Sequence, residues 1–188
     1  MPTDSCRSGT VILVTGPARS GKSEWAETLA QQSQKPVVYV ATAQRDPTDE
    51  EWQQRIARHQ QRRPGQWQTR EVPRALSQCL EEGECGECLL VDSLGTWLAN
   101  CLELEDEAWL SMEKQFLSQV KQTQADLILV AEETGWGVVP AYPLGRTFRD
   151  RLGNLIRHVG AIADPVYLVT GGYALNLKVL GTPLTPNL

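Results

Sequence analysis

Histidine is scarce in this sequence: His59 and His158 are the only two among 188 residues. They stand far apart, and Cys85-Gly86-Glu87-Cys88 is the only C-x-x-C run, so no second pair completes a tetrahedral zinc site. No redox-type pattern surrounds that run, which reads as a surface turn before a strand. The five cysteines (Cys6, Cys79, Cys85, Cys88, Cys101) are odd in number and do not suggest a disulfide framework. Basic excess is missing too. The net charge of -5 excludes a nucleic-acid coat or a membrane-surface role, neither of which gains from an acidic field. No apolar stretch approaches the ~20 residues of a bilayer span. The polar stretch from Met1 to Gly9 has no apolar signal core, so a cytoplasmic chain is expected.

What is present is ordinary for a globular protein, with 41% hydrophobic and 22% charged residues. The length suits one domain over 1–188, with 1–9 as a flexible lead-in and 181–188 as a tail. Near its start, the apolar run Val11-Ile12-Leu13-Val14-Thr15 breaks into Gly16-Pro17-Ala18-Arg19-Ser20-Gly21-Lys22-Ser23, followed by a helical stretch from Glu24 to Gln32. Gly16, Gly21, Lys22 and Ser23 fill the fixed positions of the phosphate loop G-x-x-x-x-G-K-S. Such a loop turns backbone N–H groups around a phosphate chain, and the next helix adds its positive N-terminal dipole. Lys22 is expected at the β- and γ-phosphates and Ser23 on Mg²⁺. Pro17 brings no backbone N–H, so no phosphate contact forms from that position.

Short apolar runs alternate with longer amphipathic stretches, the βαβ pattern of an α/β protein. The expected fold is a P-loop NTPase of RecA-like type, with a mostly parallel central sheet flanked by helices. Expected strands are Thr10 to Thr15, Val37 to Ala41, Gln66 to Val72, Cys88 to Ser93, Leu127 to Ala131 and Pro165 to Thr170. Strand ends carry ligands in such sheets, which singles out Ala41, Thr42, Ala43 and Asp92, an acid placed to support Mg²⁺. Thr48 to Glu51 has a capping-box pattern, so a helix is expected from Asp49 to about Arg63. On it Arg55, His59 and either Arg62 or Arg63 share one face; by periodicity alone this is as well a solvated cationic face. Leu144, Phe148, Leu152, Ile156 and Val159 form the apolar stripe of a later helix, with Arg146, Arg149 and Arg157 off it. Arg146 and Arg149 are suited either to a substrate phosphate or to surface ion pairs.

Several of these stretches resemble one family. They are Gly16 to Ser23, Tyr39-Val40-Ala41-Thr42-Ala43, Arg55-Ile56-x-x-His59-x-x-x-Arg63-Pro64 and Trp67-x-Thr69-x-Glu71. With them go Glu133-x-Gly135-x-Gly137-Val138-Val139-Pro140 and Leu144-x-Arg146-x-Phe148-Arg149-Asp150. In order, from about Thr10 to Lys178, they look like the bifunctional adenosylcobinamide kinase/adenosylcobinamide-phosphate guanylyltransferase family of cobalamin biosynthesis. The resemblance implies phosphorylation of adenosylcobinamide by ATP or GTP, then GMP transfer from GTP to the phosphate through a guanylylated histidine. His59 stands at that position, with Lys22 as the other catalytic residue. A neutral imidazole is a good nucleophile toward phosphorus and a competent leaving group, and flanking arginines favour its neutral form.

By the same resemblance Gly16, Pro17, Ala18, Arg19, Ser20, Gly21, Lys22, Ser23, Ala41, Thr42, Ala43 and Glu71 bind the nucleotide, with Gln60, Gln61, Arg62 and Arg63 following on from His59; the strand-end position adds Asp92, and the expected Mg²⁺ ligands are Ser23 and Asp92. A homotrimer, with no nucleic-acid or membrane partner, is also implied. Glu132 departs from the family, where asparagine is usual, as does Ile156-Arg157; both are expected to leave the nucleotide chemistry untouched. Two other functions fit the phosphate loop: a monofunctional small-molecule kinase, and a nucleotide-gated binding module without transfer chemistry.

Overall fold

The computed structural model describes residues 9–44, 48, 53–54, 57 and 60–184. Its frame is a seven-stranded sheet in the order β3-β2-β4-β5-β1-β6-β7. The strands are β1 (Val11–Gly16), β2 (Val37–Ala41), β3 (Gln68–Glu71), β4 (Cys88–Asp92), β5 (Asp126–Glu132), β6 (Val166–Thr170) and β7 (Tyr173–Asn176). All neighbours pair in parallel except β6 and β7. The chain returns there through Gly171 and Gly172, both at positive φ, so the stretch after Gly172 adds an antiparallel edge strand that the sequence pattern did not reveal.

The central strands are apolar on both faces because both faces are covered. Alternate residues divide between two cores. Leu13, Val38, Val40, Leu89, Val91, Leu127 and Leu129 face one side, and Val14, Val37, Tyr39, Leu90, Ile128 and Val130 the other. The second face is closed by Ala26 and Ala30 of α1 (Lys22–Gln32), small residues that let the helix lie close to the sheet. The first is closed by α2 (Leu76–Glu81), α3 (Leu94–Ala99), α4 (Asp106–Gln122) and α5 (Pro143–Ile162), with Trp97 tilted against Trp109 and Phe116. A four-residue helix, α6 (Leu177–Leu180), follows β7.

The expected stripe of α5 is corrected at its start. Leu152, Leu155 and Val159 are buried, whereas Leu144 is 60% exposed because the first turn stands outside the core. Arg151 occupies a buried place instead. Its guanidinium donates to the Leu104 carbonyl at 2.7 Å and to Asp106 at 2.9 Å, so the charge is paired where the stem is packed. Cys85 lies in an exposed turn and is disulfide-bonded, against expectation, while Cys88 is a free, fully buried thiol in β4. Burial pushes the Cys88 thiol up to about 11, which suits neither redox nor metal chemistry. No helix of the described residues is long and apolar enough to cross a membrane.

Candidate active site

Parallel pairing brings the C-terminal ends of the strands to one sheet edge. Register places Ala41 beside both Glu71 and Asp92, and Gly16 beside Glu132. The phosphate loop leaves this edge from β1. Gly16 can only be glycine here, because a Cβ would stand 2.3 Å from the Val169 carbonyl of β6. Arg19 and Gly21 both take positive φ, which folds the loop back onto the first turn of α1. Lys22 is buried, and its Nζ donates to the Pro17 carbonyl at 3.3 Å, so its charge lies inside the loop. The Ser20 hydroxyl is buried without a hydrogen-bond partner among the described residues, as expected of a group awaiting a phosphate oxygen.

Two polar clusters flank Asp92. On one side the Tyr39 hydroxyl donates to Asp92 Oδ2 at 2.8 Å, and the Arg63 guanidinium stacks 3.2 Å from the Tyr39 ring centroid. Burial, then the Asp92 charge, pushes the Tyr39 phenol well above its usual range, so it remains a donor. Arg62 pairs with Glu24 at 2.5 Å and Glu27 at 3.5 Å, both on α1. Burial raises the proton affinity of Glu27, and the nearby Arg62 charge opposes that rise.

On the other side Thr42, fully buried, accepts from the Ser93 amide and donates to the Ser93 carbonyl, each at 2.8 Å. Ser93 caps α3 by accepting from the Thr96 amide, and its hydroxyl donates to Glu132 Oε1 at 2.6 Å. Glu132 Oε2 accepts from the Gly95 amide at 3.0 Å. Next to it, Glu133 takes the Thr15 hydroxyl at 2.7 Å.

The fold thus gathers Gly16 to Ser23, Ala41, Thr42, Ala43, Glu71 and Asp92 along one edge, and Arg62 and Arg63 rest against it. Gln60 and Gln61 directly before them are helical and exposed. His59, Arg55 and the expected start of that helix at Asp49 lie outside the described residues. Arg146 donates to the Pro140 and Ala141 carbonyls and Arg149 pairs with Asp150, so both arginines have local structural partners. His158 bonds Glu113 at 2.9 Å between α5 and α4, at the edge of the core. Glu132 stands at the phosphate end of the sheet, beside Gly16 in register and in the field of Lys22 and Asp92. Its place at the end of an apolar strand, as for Asp92, was the available signal.

Among the described residues no group of three or more His, Cys, Asp or Glu side chains is arranged to hold a metal. The Ser23 hydroxyl and the Asp92 carboxylate are hard oxygen donors, a set that fits Mg²⁺ arriving with nucleotide phosphates rather than a caged ion.

The chain is 42% identical over 92% of its length, and 98% of the relative's, to the bifunctional adenosylcobalamin biosynthesis protein CobP of Pseudomonas aeruginosa. It is 34% identical to the bifunctional adenosylcobalamin biosynthesis protein CobU of Salmonella typhimurium, over 89% of this chain and 99% of that one. A solved Pyrococcus horikoshii OT3 protein shares the fold with a TM-score of 0.58 at 10% identity, covering 97% of this chain and 95% of that one. The family model for cobinamide kinase / cobinamide phosphate guanyltransferase matches residues 12–177, and the chain belongs to that family.

Proposed function

We propose that the chain phosphorylates the alcohol of adenosylcobinamide with ATP or GTP, and then transfers GMP from GTP to adenosylcobinamide phosphate through a guanylylated His59. The observation that carries this reading is the shared edge: Arg62 and Arg63, three and four residues beyond His59, rest on α1 and Tyr39 beside the phosphate loop. Family membership supplies the substrates.

In the first step the Lys22 ammonium leaves the Pro17 carbonyl for the β- and γ-phosphate oxygens, where it offsets charge as the phosphoryl group moves. The loop amides and the Ser20 hydroxyl bind and orient the phosphate chain. Mg²⁺, when bound with the nucleotide at Ser23 and Asp92, neutralises further phosphate charge. In the second step a His59 ring nitrogen bonds to the α-phosphorus, the bond to the α–β bridging oxygen breaks, and pyrophosphate leaves. The phosphate oxygen of adenosylcobinamide phosphate then attacks the same phosphorus, and the P–N bond breaks to release His59. Arg62 and Arg63 are in place to exchange their present partners for phosphate oxygens. A homotrimer goes with this reading; Val138, Val139 and Tyr142, each at least 60% exposed, are suitable apolar contacts for a second copy. A mass measurement showing a monomer at working concentration would overturn the trimer.

Incubation with α-labelled GTP tests the central step. Acid-labile, base-stable label is expected on the wild-type protein and none on His59→Asn, which should still phosphorylate adenosylcobinamide. Unlabelled wild-type protein under turnover conditions leaves a monofunctional kinase.

A further inference from the structure

The chain leaves β5, the strand between β1 and β4, fastened to the phosphate loop. The Glu133 amide donates to the Gly16 carbonyl at 2.9 Å, and its carboxylate accepts from the Thr15 hydroxyl at 2.7 Å. Further along, the same connection is fastened again, to α5. Arg146 donates to the Pro140 and Ala141 carbonyls at 3.0 and 2.7 Å, and a Cβ on Gly145 would stand 2.8 Å from the Pro140 ring. Between these two fastenings, residues 134–139 are all exposed. A Cβ on Gly135 or Gly137 would meet no described atom within 4 Å, so the middle of the connection stands clear as an arch. Its side chains do not suit water. Trp136, Val138 and Val139 are 63%, 94% and 60% exposed, a run of apolar surface that gains free energy only when something covers it. With both ends held, the arch is a preformed surface, and covering it costs little further ordering.

The place of the arch says what covers its near end. Trp136 is three residues from Glu133, a reach of at most about 11 Å, and Glu133 is bonded to the first residue of the phosphate loop. An acceptor alcohol that takes the γ-phosphoryl group held by Lys22 comes in alongside this part of the arch. Beyond Asp92 the edge is polar and charged, with Tyr39, Arg62, Arg63, Glu24 and Glu27, a surface for phosphates and not for hydrocarbon. In the reaction proposed above the alcohol ends an arm of a corrin macrocycle, a body wider than the phosphate loop with a rim of ring carbons and methyl groups. We propose that Trp136 is the platform for that macrocycle: the indole covers the apolar rim while the arm carries the hydroxyl to the phosphate end. This assignment rests on the function proposed above and names the residue that holds its corrinoid. Val138, Val139 and Tyr142, the contacts offered to a second copy, lie further from the strand end.

The test uses the full chain and adenosylcobinamide itself, in equilibrium dialysis without nucleotide and in initial rates with it. Trp136→Ala should weaken adenosylcobinamide binding about 10-fold or more and raise its KM to match. The phosphorylation kcat at saturation and the affinity for GTP should both stay within about threefold of wild type, since the indole touches neither the reacting atoms nor the phosphate loop. Trp136→Phe, which keeps a ring, should bind adenosylcobinamide within about threefold of wild type. Unchanged adenosylcobinamide affinity in Trp136→Ala overturns the assignment. So does a matching loss of GTP affinity, which marks damage to the whole edge. A lower subunit mass in solution with corrinoid affinity kept also overturns it, and makes the indole a contact between copies. Product formation by the wild type reads the function separately. A wild type that makes adenosylcobinamide phosphate while Trp136→Ala keeps the wild-type KM defeats this assignment alone. A wild type that binds adenosylcobinamide through Trp136 yet yields no phosphate defeats the reaction and not the platform.

Discussion

The two sides of Asp92 solve the same problem by different means. Toward Ser93 the polar groups are fixed by backbone and hydroxyl bonds: Thr42 to Ser93 twice, Ser93 to Thr96 and Glu132, and Glu132 to Gly95. Toward Tyr39 they are joined by arginines, with Arg62 on Glu24 and Glu27 and Arg63 over the Tyr39 ring. Backbone partners do not move without unfolding a turn, whereas an arginine can change one anion for another at small cost. The first side is therefore a frame, and the second a set of contacts that an incoming phosphate chain can take over.

That distinction can be broken by mutation. Ser93→Ala removes the cap of α3 and the hydroxyl bound to Glu132, and should cost about 2–4 kcal/mol from the lost cap and the under-bonded carboxylate. Thermal unfolding should then fall by about 5–10 °C; an unchanged midpoint would show that this side is no frame. Arg62→Ala is expected to cost at most about 1 kcal/mol in stability, since the pair is partly exposed. It should slow GMP transfer by about tenfold, the worth of one charge-assisted phosphate contact, with phosphorylation little changed. Equal loss in both reactions would contradict the division of labour.

Glu27→Gln sharpens the comparison through pH. Burial raises the folded-state proton affinity of Glu27 above its ordinary value of 4.5, so the native state binds the proton more tightly than the unfolded chain. Stability from this group therefore declines as pH rises through the folded value, and the cost is complete above it. The variant should unfold about 2 °C higher than wild type near pH 8, and the gain should vanish as pH falls toward 4.5. A gain that persists in acid would assign the effect to something other than ionisation.

Much of this arrangement was legible in the residues. The β1–loop–α1 unit follows from a fixed spacing of glycine, lysine and serine, because few other residues allow that turn. Strands β2, β4 and β5 follow from apolar runs that only a doubly covered parallel sheet makes compatible with water. The place of Asp92 at the sheet edge is legible because it is an acid that ends such a run. Glu132 ends a similar run, but its partners Ser93 and Gly95 lie 39 and 37 residues away in the chain, so its surroundings are not legible there. Periodicity places Leu144 on the core stripe because it reports a helix face and not where the core beneath it stops. Arg151 was missed for the converse reason: its partners are carbonyls and an acid on another segment.

The sequence by itself determined the phosphate grip, the alternation of strands and helices, and the family to which the chain belongs, because each is written in local spacing and residue type. Only the tertiary structure decided which acids face Lys22, that Tyr39 and Asp92 are one unit, and that Arg62 and Arg63 wait on α1 and β2 beside the loop. Those facts depend on strand order and register. Strands distant in sequence become neighbours at one edge, and a carboxylate's chemistry is set by whatever the fold puts beside it.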